Sequence, residues 1–189
     1  MPKTYTAENM GHAAAWLADN IPHQLDQRGG KMMLNTQQGS GTEVRGAGNG
    51  SAIDFTIKSF IYTHGLLQCM ALCAVWNKVD MVFRNGYLAH VSRMEEPQAK
   101  PRSRFLAGAR SADVPQPDTT PFIQTAMQAI PPGAWIVADV GTGVRAWGPL
   151  LTEKLISLGH ADDHIWIYYR PADGGVGFGI DKHGRFGET

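Results

Sequence analysis

Cysteine is nearly absent. Cys69 and Cys73 are the only two among 189 residues, too few for a disulfide scaffold. Four residues apart on a strand, their Cα atoms would stand roughly 13 Å apart, beyond disulfide reach. Two free thiols in a reducing compartment are therefore expected. No Cys-x2-Cys pair occurs and the seven histidines are scattered, so no metal centre is expected, and no cofactor motif appears. Net charge is absent too: 17 Lys and Arg balance 17 Asp and Glu. A dedicated nucleic-acid binder would carry a basic surplus, so no nucleic-acid partner is expected. No apolar run approaches the ~20 residues that span a bilayer, so no membrane segment is expected. Met1 to Tyr5 lacks the apolar core of a secretory leader. The expectation is a cytoplasmic protein, or one delivered by a route that needs no leader.

The length suits one domain over residues 1–189 with a core of its own. Ala7 to Asp19 is alanine-rich, with Met10, Ala14, Leu17 and Ala18 at helical spacing and Thr6 as a cap. Gln24 to Gly30 reads as a turn and Lys31 to Gln37 as a short strand. Gly39 to Gly50 holds five glycines and reads as a loop or loose hairpin. Ala52 to Phe60 alternates like a half-buried strand. Leu66 to Trp76 is nearly all apolar, and periodicity there does not separate a buried strand from a short helix. Val82 to Val91 reads as a strand, with Asn85-Gly86 as a turn or bulge inside it.

From residue 93 to 121 the pattern collapses into five prolines and, up to Arg110, five basic residues, which reads as a long mobile loop. A helix follows from Pro121 to Pro131-Pro132. Ala134 to Val140 and Val144 to Trp147 flank Gly141-Thr142-Gly143 as a hairpin, and His164 to Arg170 and Val176 to Asp181 flank Asp173-Gly174-Gly175 as another. Between them Pro149 to Leu158 is helical, with Gly159 as its stop. The glycine clusters at 39–50 lack a nucleotide-binding context and a Walker lysine. The tally is an α/β (α+β) domain with a mostly antiparallel β-core and about three helices.

The chemistry gathers between Thr63 and Ser92. Cysteine in an apolar run is usually plain core, and Cys73 fits that description. Cys69 differs, because Gly65 and the polar Gln68 precede it and it stands where the chain enters the run. Backbone N–H groups at such an edge, around Leu67 and Gln68, can hold an oxyanion. His90 closes the next strand. A thiol facing an imidazole across antiparallel strands can lose its proton to the ring and attack an amide or ester carbonyl. Thr63 could orient the ring as the third member of a triad does. His64 is a lesser candidate for the base, and Asp139 an alternative third member.

Thr63, Cys69 six residues later, Cys73, and then Gly86-Tyr87-Leu88-Ala89-His90 resemble the motifs of the CheD family of chemotaxis glutamine deamidases. The same Thr, Cys, His order is similar to that of the catalytic domains of the lethal-factor and cytotoxic-necrotizing-factor deamidase toxins. The resemblance covers about 30 residues. It implies a single-domain α/β sandwich, no cofactor, and a protein partner whose glutamine is the substrate, in a bacterial cytoplasm or in a cell that receives the protein as a secreted effector or toxin. It assigns Cys69 as nucleophile, His90 as base and then acid, and Thr63 as orienting residue. A cysteine protease or transglutaminase uses related chemistry, and a non-catalytic binding module would keep both cysteines in its core. Oligomeric state is not legible in the sequence.

Overall fold

A computed structural model describes residues 3–5, 26–28, 31–33, 39–67, 69–92, 122–141, 147–170 and 177–189. The helix expected at 7–19, the loop expected at 93–121 and Gln68 lie outside them. The described strands are β1 (Lys3–Tyr5), β2 (Asp26–Arg28), β3 (Lys31–Met33), β4 (Gly41–Val44), β5 (Asn49–Asp54), β6 (Phe60–Thr63), β7 (Met70–Val79), β8 (Val82–Val91), β9 (Trp135–Val140), β10 (Ile165–Tyr169), β11 (Phe178–Asp181) and β12 (Phe186–Glu188), with helices α1 (Phe122–Gln128) and α2 (Trp147–Ser157). They form two six-stranded sheets, ordered β1-β10-β9-β7-β8-β5 and β2-β3-β12-β11-β6-β4. Helices and strands in this mixture make an α+β fold, as expected, and antiparallel pairs outnumber parallel ones six to four among the described strands.

The apolar run after Cys69 is a strand, and its position in the layers explains its composition. A strand covered on both faces reads as continuous apolar sequence rather than alternation. Ala71, Cys73 and Val75 of β7 face the second sheet, where they join Leu88, Val137, Phe178, Ile180 and Phe186 in one core. Met70, Leu72 and Ala74 face the other way and pack with Ile123, Ala126, Met127, Leu151 and Leu155 of the two helices. The layers are therefore helices, first sheet, second sheet. The second sheet lies with β6 against β8 and β11 against β7.

Val82 to Val91 is a strand as expected, but Asn85-Gly86 makes neither a turn nor a bulge in it, since the register with β7 runs through both residues unbroken. Gly86 pairs with Val75 and Ile53, and a Cβ there would fall 2.5 Å from the Phe55 ring, so glycine is required by close packing. The chain reverses at Asp80-Met81, both with positive φ, between the paired Val79 and Val82, as a two-residue turn of the primed type.

Four further expectations are corrected. The stretch read as a loop or loose hairpin holds the strand Gly41–Val44, parallel to β6, and the start of β5, which belongs to the other sheet. The strand read as Ala52 to Phe60 ends at Asp54, whose carboxylate accepts from the Thr56 N–H at 2.8 Å and hydroxyl at 2.6 Å and so turns the chain toward β6. Of the hairpin expected over Ala134 to Val140 and Val144 to Trp147, residues 142–146 lie outside the described residues, while β9 pairs with β7 and β10 and Trp147 opens α2. His164 to Arg170 and Val176 to Asp181 are not a hairpin, since β10 belongs to the first sheet and β11 to the second. In both cases glycines mark a break in the chain, which is compatible with a change of layer as well as with a reversal.

The layer changes place the candidate site. The chain passes from the second sheet to the first between Thr63 and Met70, and again after Val44, and it leaves the first sheet after Tyr169. The end of β6, the entrance of β7 and the ends of β8, β9 and β10 thus meet at one rim of the sandwich.

Candidate active site

Thr63 ends β6 and His90 stands near the end of β8, on the faces the two sheets turn to each other. Both are buried. The Thr63 hydroxyl donates to the Val44 carbonyl at 2.6 Å and lies 2.8 Å from His90 Nδ1. A hydroxyl has one proton. With that proton on Val44, the oxygen accepts from the ring, so the network assigns the hydrogen to Nδ1 and the lone pair to Nε2. Nε2 is buried and has no hydrogen-bond partner among the described residues. Burial, and then the positive charge of Arg170, lower the His90 pKa below its ordinary value. At neutral pH the ring is therefore neutral, with an unoccupied proton-accepting nitrogen.

Cys69 immediately precedes β7. Ala71 pairs with His90 across the β7–β8 ladder, and side chains two residues apart share a face. Cys69 is thus the diagonal neighbour of His90 on the face toward the second sheet, where it packs partly buried against the core between the sheets. Diagonal neighbours stand about 7–8 Å apart, less between side-chain tips. No hydrogen bond joins the Cys69 sulfur to His90 Nε2. Cys73, one step further along the same face, is fully buried, and burial followed by the Asp139 charge raises its pKa well above the ordinary thiol value. It stays a protonated core thiol.

Of the oxyanion candidates, Leu67 stands 78% exposed at the tip of the turn before Cys69, and Gln68 lies outside the described residues. The Cys69 N–H makes a long 3.4 Å bond to the Leu66 carbonyl. His64 is exposed, edge-on to Tyr62, with its Nδ1 3.3 Å from the Thr189 hydroxyl. The ring therefore faces Tyr62 and Thr189 rather than Thr63 or His90.

Asp139 also pairs with Ala71, from the opposite side, so it shares the row and the face with His90. Two strand spacings, about 10 Å, separate them. Asp139 does not take the third place beside the imidazole. It is buried in an ion pair with Arg170, whose Nη2 lies 3.0 Å from Oδ2 and whose Nε donates to Oδ1 at 3.3 Å. Burial pushes the Asp139 carboxyl from 3.8 up to about 7, with Arg170 pulling it down and Glu188 pushing it further up. The next residue in the row, Tyr168, pairs with Asp139 and donates its hydroxyl to Glu188 Oε1 of β12 at 2.9 Å.

Sequence reasoning missed Arg170, Tyr168 and Glu188. The available signal was an arginine closing an otherwise apolar aromatic strand, Ile165-Trp166-Ile167-Tyr168-Tyr169. A charge at such a position needs a buried counter-charge. Arg170 also donates through Nη1 to the Leu66 carbonyl at 2.7 Å and through Nη2 to the Cys69 carbonyl at 3.0 Å. Among the described residues no cluster of three or more His, Cys, Asp or Glu could hold a metal ion, and no helix is long and apolar enough to cross a membrane.

As a unit, the rim offers a thiol, a neutral imidazole with a free Nε2, and a threonine fixing the tautomer. A scan against models of protein families gives no match to this chain, and a search of the curated proteins gives none either.

Proposed function

We propose that the protein is a cysteine-dependent amidohydrolase acting on a glutamine side chain of a protein partner. The observation that carries this reading is His90: its Nδ1 is held by a threonine that has no second proton to give, and its buried Nε2 is unoccupied on the face it shares with Cys69. Most buried polar atoms find a partner; among the described residues His160 and His164 also leave a buried nitrogen without one, and what sets His90 apart is the Thr63 hydroxyl on its other nitrogen and its place on the ladder next to Cys69. A general base needs one nitrogen free.

In this reading Nε2 takes the Cys69 proton as the sulfur attacks the carboxamide carbon. The C–N bond breaks, ammonia leaves with the proton that His90 returns, and a thioester remains on Cys69. Water, deprotonated by Nε2, then attacks the thioester, the C–S bond breaks, and glutamate and the free thiol are released. Thr63 keeps the same nitrogen available in both halves of the cycle. The partner loses a donor and gains a negative charge. The likeness to the CheD and toxin deamidases supports glutamine as the amide. The packing of Cys69 against the core between the sheets favours a second reading, a non-catalytic module in which Cys69 only fills space.

The test is ammonia release from N-acyl-glutaminyl-glycine, with mass spectrometry for a gain of about one mass unit at glutamine in candidate protein partners. Activity in the wild type that disappears in Cys69→Ala supports the enzyme. Equal traces in both variants leave the binding module.

A further inference from the structure

We infer that Arg170 is a positioning residue for the nucleophile: anchored on Asp139, its guanidinium clasps the carbonyls of Leu66 and Cys69 and so fixes the turn that presents the thiol beside His90. The inference rests on the functional reading above and extends it to a residue that touches no substrate.

The turn from His64 to Cys69 is irregular chain between two sheets. Its only internal backbone bond among the described residues is the long one from the Cys69 N–H to the Leu66 carbonyl. Such a segment has little of its own to fix a side chain's direction. Arg170 supplies the missing constraint from 101 and 104 residues away, with 3.0 Å and 2.7 Å bonds to the two ends of the turn. A guanidinium can do this because it presents five donors in one rigid plane. Two edges serve the carbonyls while Nε and Nη2 meet Asp139. The anchor is itself held, since Asp139 lies within β9, and the Arg170 N–H donates to the Val140 carbonyl at 3.1 Å.

The surroundings fit a clasp that must not shift. Gly141 lies under it, and a Cβ there would fall 3.1 Å from Nη2 and 3.6 Å from the Cys69 carbonyl oxygen. A buried ion pair is also a poor device for stability alone, because apolar residues of similar volume often replace one without loss. Its position suggests why it is kept: the carbonyl it grips belongs to the residue that carries the thiol. A misplacement of about 1 Å at a reacting group costs on the order of a hundredfold in rate.

Three variants test the clasp. Arg170→Met combined with Asp139→Leu removes both charges together and avoids an uncompensated buried one. Gly141→Ala keeps both charges and presses a methyl into the clasp. Arg170→Lys keeps a cation but cannot reach both carbonyls and the carboxylate. Each is assayed for kcat and KM on N-acyl-glutaminyl-glycine and for amide hydrogen exchange over residues 64–70. The expected result for the double variant is a cooperative thermal transition, faster exchange in that turn, and kcat lower by roughly tenfold to a hundredfold with KM little changed. Gly141→Ala and Arg170→Lys are expected to show the same split to a smaller degree, and they carry the test if the double variant does not fold. Wild-type kcat in the folded variants overturns the positioning role alone. Wild-type protein without Cys69-dependent ammonia release overturns the functional reading, and the positioning role with it.

Discussion

The first sheet has two buried faces, and they are built on different terms. Toward the helices, β7, β8, β9 and β10 bury Met70, Leu72, Ala74, Ala89, Val91, Ile136, Ala138, Val140, Ile165 and Ile167, with the polar-tipped Trp76, Tyr87 and Tyr169 only partly buried against them. Toward the second sheet the same strands carry His90, Asp139 and Tyr168 in a single row through Ala71, facing Thr63 and Glu188. The fully buried part of the helix-covered face is held by apolar packing. Each polar group on the other face costs desolvation that its partner only offsets. That row runs to the rim where Cys69 enters β7, and under the proposed function its cost in stability is the cost of a site.

Substitutions should separate the two faces. The largest effect is expected for Cys69→Ser, which should abolish ammonia release, because a hydroxyl beside the same imidazole is a far poorer nucleophile. Cys73→Ser, on the same face, should keep activity and cost roughly 1–3 kcal/mol of stability from burying a hydroxyl, read as a shift in urea midpoint. On the apolar face, Leu72→Ala should cost about 2–5 kcal/mol through the cavity it leaves while kcat at 25 °C holds in the folded protein. Thr63→Val should leave His90 Nδ1–H without its acceptor, at about 1–3 kcal/mol, and should lower kcat as well. A loss of stability with unchanged kcat would place Thr63 with the core residues.

The smallest effects concern pH. Native Asp139 holds its proton up to about 7, whereas the unfolded chain releases it near 3.8. Its contribution to stability therefore falls as pH rises between those values and is level above them. His90 works the other way: its native pKa lies below the ordinary 6.5, so its contribution is whole above 6.5 and is lost as pH falls through the native value. Urea midpoints from pH 4 to 8 should show the downward trend with rising pH weakened in Asp139→Asn relative to wild type. The acid limb of kcat should have its midpoint below 6.5, and a limb above that value would contradict a buried neutral base.

What was legible in the sequence was local. The β7–β8 hairpin follows from two apolar-rich runs around a polar break, and Thr63, Cys69 and His90 lie within 28 residues of one another. Short-range chemistry of that kind survives folding with its spacing intact. The layer changes were not legible, because glycines at 141–143 and 173–175 mark a break in a ladder without saying whether the next strand returns to the same sheet. Arg170 was not legible for a related reason. Its partners are 31, 101 and 104 residues distant, and only the parallel pairing of β10 beside β9 brings them together. The polar row is likewise a property of register, since Asp139 and His90 are neighbours only through Ala71. Asp139 looked like a possible orienting acid while its true partner lay out of view.

The measurement closest to the central claim needs no substrate. It is the rate of alkylation of Cys69 by iodoacetamide at pH 7, followed by peptide mass spectrometry, in wild type and in His90→Gln. The account predicts that Cys69 reacts at least about tenfold faster in wild type, because the free Nε2 of His90 takes the thiol proton, while Cys73 stays unmodified in both. Equal rates at Cys69 in the two proteins would contradict it.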